Sequence, residues 1–179
     1  MKTGLTSVTF RQKSVDEIIL LAQKAHLDGI EWGGDVHVPA GDTDTAASVR
    51  EKCMAAGLEI LSYGSYYKAL PDQNFAPVLA SARALGAPMI RIWAGNCTPD
   101  SISEDAFRTL AANIRCAAES ASQFGIAVAL EYHRGTMTQT KEGAVRLLQA
   151  VDHPNLYTYW QPNPDVPMEE RLREIQAIS

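Results

Sequence analysis

Six times in succession, a short apolar run bounded by turn residues is followed by a segment whose apolar residues recur at helical spacing. No other feature of this 179-residue sequence narrows its fold as much. The runs cover residues 4–10, 30–32, 58–63, 88–93, 126–134 and 156–160. Ser14 with Glu17 forms a capping-box pattern ahead of the first stripe, Ile18, Leu21, Ala22 and Ala25. Asp42, Ser103 and Thr140 stand at the equivalent N-cap positions of later stripes, and Gly57, Gly86 and Gly125 close others. A last stripe, Met168, Leu172 and Ile175, follows the loop QPNPDVP. Repeating units of about 25–35 residues match βαβ building blocks. The alternation therefore predicts an α/β protein with a parallel sheet, formed as one domain over residues 1–179.

Two architectures fit that pattern. A doubly wound sheet suits the length, but its first turn usually carries a glycine-rich phosphate loop, and here that turn reads TFRQKS. A (β/α)8 barrel normally takes about 250 residues, so six units would fall two short. The loops after the runs are long and rich in His, Trp, Tyr and Asp, whereas those before them are short. A barrel gathers its active site on the C-terminal ends of its strands in this way.

The fifth run, IAVALEYHR, is where chemistry concentrates. Strand periodicity places Ala127, Ala129, Glu131 and His133 on one face, with Ile126, Val128, Leu130 and Tyr132 on the other. A carboxylate and an imidazole two residues apart at a strand end can converge on one ligand or metal ion. Arg91 and Trp93 are spaced alike at the end of the fourth run, so Arg91 can offset Glu31 or Glu131, or bind an anionic substrate. His26 and His153 fall near a helix end and in a pre-strand turn, which points to structural roles. A net charge of −5 argues against a nucleic-acid footprint, which depends on Lys and Arg neutralising phosphates. No window approaches the roughly 18 apolar residues of a membrane span. Three widely spaced cysteines, Cys53, Cys97 and Cys116, read as free thiols, so a cytoplasmic location is expected.

The stretches DGIEWGGDVHVPAGD, LEILSYGSYY, IRIWAG, ALEYH and LYTYWQPNP, in that order and spacing, resemble the xylose isomerase-like TIM barrel family across essentially the whole chain. The resemblance implies a (β/α)8 barrel truncated after its sixth unit. It also implies a divalent metal (Mn²⁺, Mg²⁺ or Zn²⁺) held by carboxylates and a histidine at the ends of strands five to eight. Glu131 matches the strand-five ligand and would also exchange protons with the substrate. At strand six the family's Asp is replaced by Gln161, or by Trp160 if the register slips by one. A Gln carbonyl can ligate a hard cation but brings no charge.

The activity so implied is a metal-dependent sugar isomerase or epimerase moving a proton next to a carbonyl. His37 and His133 would bond substrate hydroxyls, Trp93 and Trp160 would wall a small carbohydrate, and Tyr66 would close over it. Two further readings stay open. One is a non-catalytic sugar-binding module or inactive fragment. The other is a zinc endonuclease acting at abasic DNA sites, for which four histidines are a sparse supply. An unclosed barrel would expose strands one and six, from which homo-oligomers are expected.

Overall fold

Between successive units, a glycine or turn ends one helix and releases the chain into the next strand. The computed structural model describes residues 1–162 and 166–178; residues 163–165 of the QPNPDVP loop and Ser179 lie outside the described residues. Its strands are β1 (Gly4–Thr6), β2 (Gly29–Gly33), β3 (Glu59–Gly64), β4 (Met89–Ile92), β5 (Ala127–Glu131) and β6 (Leu156–Tyr159). Its helices are α1 (Val15–Lys24), α2 (Thr43–Ala55), α3 (Ala76–Leu85), α4 (Glu104–Ser122), α5 (Lys141–Val151) and α6 (Met168–Ile178). The strands run in the order β1-β2-β3-β4-β5-β6 within one parallel sheet. A doubly wound sheet reverses its strand order at a switch point. No reversal occurs here, and the sequential winding is that of the barrel class.

The chain divides into two compact units. The first comprises Met1–Tyr66, Asn74–Ile90 and Phe124–Ile126; the second comprises Tyr67–Gln73, Arg91–Gln123 and Ala127–Ser179. In the first, α2 packs against α1 and α3, and Ile18, Ala22, Ile30, Trp32, Cys53, Ala82 and Leu85 are fully buried. In the second, α4 packs on α5 and β5 around Ile114, Ala118, Val128, Leu130 and Leu147. All five residues of β2 are buried, and so are Val128 to Glu131 of β5. Strands of a parallel sheet are covered on both faces, which explains why these runs read as continuously apolar.

The helix caps follow the sequence pattern. Ser14 and Glu17 complete a capping box on α1, and Asp42, Ser103 and Thr140 each accept a backbone N–H at the start of α2, α4 and α5. The first strand is shorter than the apolar run suggests. At Ser7 the chain leaves the sheet and makes a 3-10 turn through Phe10. The Ser7 hydroxyl accepts from Gly33 N–H (2.8 Å) and reaches His37 Nδ1 (3.1 Å), bonds that a continued strand would forfeit. Strands β5 and β6 also stop early, so His133, Trp160 and Gln161 lie beyond the strand ends. In α6, Met168, Leu172 and Ile175 are exposed rather than buried.

Close approach of β1, β2 and β3 depends on Gly29, where a Cβ would lie 2.4 Å from the Glu59 carbonyl oxygen. That neighbour is backbone and cannot rotate away. Gly29→Ala should lower stability by about 1–3 kcal/mol, read as a shift in the urea midpoint with far-UV circular dichroism. An unchanged midpoint would mean the strands separate freely at this point.

Candidate functional site

A buried ion pair marks the C-terminal ends of β4 and β5, within the second unit. Arg91 leaves β4 and Glu131 ends β5; they are 5% and 7% exposed. Arg91 Nη1 donates to Glu131 Oε2. The Trp93 indole N–H donates to the same oxygen at 2.6 Å, and the Gln161 amide donates to Oε1. Arg91 also lies with Cζ 5.6 Å from the centroid of the Tyr159 ring. Spacing explains the convergence: Arg91 and Trp93 are two apart and leave the sheet on one side, as Glu131 does from the adjacent strand.

The loop after β5 is held by its own hydroxyls. Thr138 Oγ1 donates to the Glu131 carbonyl at 2.5 Å and lies 3.0 Å from Thr136 Oγ1, which donates to the His133 carbonyl at 2.7 Å. Met137 N–H donates to the Ala94 carbonyl at 3.0 Å and so ties this loop to the one after β4. Gly135, at φ +74°, makes the turn between them. His133 stacks on Trp93 with ring centroids 4.1 Å apart and an interplanar angle of 23°. Its Nδ1 lies 2.7 Å from the Arg134 carbonyl oxygen, which can only accept, so Nδ1 carries the proton. In the neutral ring, Nε2 is then the basic nitrogen. Lys68 Nζ lies 5.0 Å from the Trp93 ring centroid, a cation–π distance.

Among the expected site residues, Glu131, Trp93, His133 and Gln161 thus form one cluster, joined by Arg91. Trp160 precedes Gln161, and its indole nitrogen is buried with no hydrogen-bond partner among the described residues. His37 and Tyr66 belong to the first unit. His37 is 4% exposed and engages both ring nitrogens, Nδ1 with Ser7 Oγ and Nε2 with the Lys13 carbonyl at 3.1 Å. Tyr66 donates to Asp35 at 3.2 Å and accepts from Arg11, which also pairs with Asp35. Partial burial works to raise the Asp35 pKa, but the Arg11 hydrogen bond, backbone hydrogen bonds led by that from Val36, and the Arg11 charge together hold it below the usual carboxylate value. Burial, and then the charge of Asp35, raise the Tyr66 pKa. Glu31 accepts from the hydroxyls of Thr6 (3.1 Å) and Ser62 (2.7 Å). Lys68, Thr136 and Thr138 had no signal in the sequence, because their roles depend on which loops meet.

The chemistry of this donor set decides whether it fits the divalent metal that the resemblance implies. Both Glu131 oxygens already accept hydrogen bonds, one of them from a guanidinium. Gln161 Nε2 also lies 3.2 Å from the Tyr132 carbonyl. Its two neighbours, a carboxylate and a carbonyl, are acceptors only, so the NH₂ end must face them and the carbonyl end cannot. Among the described residues, no three His, Cys, Asp or Glu side chains are placed to share a metal ion. By themselves, then, the described residues do not fit a divalent ion. A separate cavity of about 240 Å³ beside the loop after β4, lined by Leu70, Pro71, Cys97, Ile102 and Leu110 among others, does not include this cluster. Among the described residues, no helix is long and apolar enough to cross a membrane.

Removing the shared acceptor tests how tightly the cluster is coupled. Glu131→Ala should cost about 3–5 kcal/mol, because a buried guanidinium loses its carboxylate. Arg91→Met/Glu131→Leu should recover much of that loss in urea denaturation. Equal losses in the single and double variants would show that the pair is not coupled.

Comparison with known proteins agrees with this architecture. The family model described as xylose isomerase-like TIM barrel matches residues 19–162. A 3-dehydroshikimate dehydratase of Bacillus anthracis is 26% identical over 167 residues, covering 87% of this chain and 60% of the relative. A crystal structure of a probable 3-DHS dehydratase, AsbF, from the same organism superposes with a TM-score of 0.77 at 25% identity, covering 89% of this chain and 62% of the other. A D-psicose 3-epimerase crystallised in the presence of D-fructose gives a TM-score of 0.69 at 15% identity, with coverages of 89% and 63%. The chain therefore spans about three fifths of the length of these relatives. With a family model matching most of its length, and with its parallel strands wound in sequential order, this chain belongs to the xylose isomerase-like TIM barrel family.

Proposed function

We propose that the whole protein removes a proton from the carbon next to a carbonyl of a small polyhydroxylated substrate, as a sugar or sugar-derivative isomerase or epimerase. The observation that carries this reading is the Glu131–Trp93–His133 arrangement: a buried carboxylate fixes the indole, and the indole fixes the plane of an imidazole. With Nδ1 committed to the Arg134 carbonyl, neutral His133 offers Nε2 as the proton acceptor. Trp93 and Trp160, expected from the resemblance to wall a small carbohydrate, keep that role in this reading. Glu131, expected from the resemblance to exchange protons itself, acts in this reading by orienting Trp93 and Arg91. No step is assigned to a metal ion, since the described residues do not fit one.

A second reading is favoured by the 26%-identical relative: dehydration of a cyclic hydroxyketone such as 3-dehydroshikimate. It begins with the same proton abstraction and differs in the second step, where hydroxide leaves from the neighbouring carbon instead of a proton returning.

One experiment separates the two. The purified protein is incubated in D₂O with ketohexoses, ketopentoses or 3-dehydroshikimate and followed by proton NMR. Isomerase or epimerase chemistry predicts loss of one carbon-bound proton signal and appearance of an isomer. Dehydration predicts a new aromatic product from 3-dehydroshikimate alone. His133→Ala should lower whichever activity is found by about 10²-fold or more with little change in the unfolding midpoint. A protein that exchanges no carbon-bound proton in any substrate would leave the sugar-binding module as the reading.

A further inference from the structure

We propose that Arg91 is the resident cation of the Glu131 cluster, occupying the carboxylate where the family resemblance expects a divalent ion, so that Glu131 takes up such an ion only when Arg91 is removed. The proposal concerns binding and does not depend on which reaction the protein performs.

Occupancy comes first. A carboxylate oxygen offers two lone pairs, and Oε2 of Glu131 meets both Arg91 Nη1 and the Trp93 indole N–H. Oε1 accepts from Gln161. A metal ion ligated by Oε2 would displace a donor that this chain supplies, and one at Oε1 would have to share that oxygen with the Gln161 amide.

Charge comes second. An Asp at the Gln161 position would add a carboxylate beside Glu131, and with it negative charge for a cation to bind. With Gln161, no second carboxylate is added there, and the Glu131 charge is met by the Arg91 guanidinium. A divalent ion would have to enter beside a guanidinium that is only 5% exposed, where water screens repulsion poorly.

Orientation comes third. Two acceptor-only neighbours, Glu131 Oε1 and the Tyr132 carbonyl, turn the NH₂ end of Gln161 inward. The amide therefore cannot offer its carbonyl oxygen, the atom that ligates hard cations, alongside Glu131. The Gln in place of Asp and the Arg91 pair are two halves of one arrangement.

The test is a Mn²⁺ titration of the purified protein and its Glu131→Gln, Arg91→Met and Arg91→Met/Glu131→Gln variants. Bound metal is read from the loss of the free-Mn²⁺ EPR signal, and independently from quenching of tryptophan fluorescence, since Trp93 shares the Glu131 oxygen. Wild type and Glu131→Gln should take up Mn²⁺ alike, with no Glu131-dependent site. Arg91→Met should bind Mn²⁺ at least tenfold more tightly than wild type, and the double variant should lose that gain. Wild-type binding that falls tenfold in Glu131→Gln would overturn the proposal, and so would an Arg91→Met variant that gains nothing over the double variant. If Arg91→Met fails to fold, the comparison of wild type with Glu131→Gln still decides, and Arg91→Lys, which keeps the charge, should behave as wild type.

Discussion

The ion pair between Arg91 and Glu131 sets the terms for everything around it. Neither group can be buried alone, because the cost of stripping water from an isolated charge exceeds what packing returns. Such a pair needs further hydrogen bonds, and Trp93 and Gln161 supply two of them to the carboxylate. The surrounding loop is built to the same end. Thr138 holds the Glu131 carbonyl, Thr136 holds that of His133, and Met137 ties the loop to Ala94. The carboxylate is positioned by backbone bonds on one side and by side-chain donors on the other.

The first unit also buries a carboxylate. Glu31 of β2 is as buried as Glu131 and accepts from the hydroxyls of Thr6 and Ser62 on the flanking strands. His37 is clamped between Ser7 and Lys13, and Ser7 also holds Gly33. Arg11 and Asp35 pair nearer the surface, with Tyr66 bonded to both. Charged and polar groups gather at the C-terminal ends of the strands in both units, and in the second a buried carboxylate meets an indole that carries a stacked imidazole.

Much of the fold was legible in the sequence because its determinants are local. Ser14 and Glu17, Asp42, Ser103 and Thr140 cap their helices through bonds that span three residues, so spacing alone reveals them. The strand ends were harder to read. Residues 7–10 continue an apolar run, yet Ser7 is drawn out of the sheet by Gly33 and His37, more than twenty residues away. The alternation that grouped Glu131 with His133 predicted proximity correctly, although His133 lies beyond the strand and reaches the cluster by stacking on Trp93.

The sequence by itself determined the alternation of strands and helices, the family, and the presence of a carboxylate and an imidazole at the end of the fifth strand. Periodicity and capping are short-range and leave a readable pattern. Only the tertiary structure decided that Arg91 pairs with Glu131, that both nitrogens of His37 are consumed within the chain, and that Gln161 turns its NH₂ inward. Those outcomes depend on which acceptors and donors meet across loops distant in sequence. The apolar run ending in Glu131 could be read as a metal ligand or as a carboxylate paired with Arg91. Its surroundings, three donors converging on two oxygens, favour the pair.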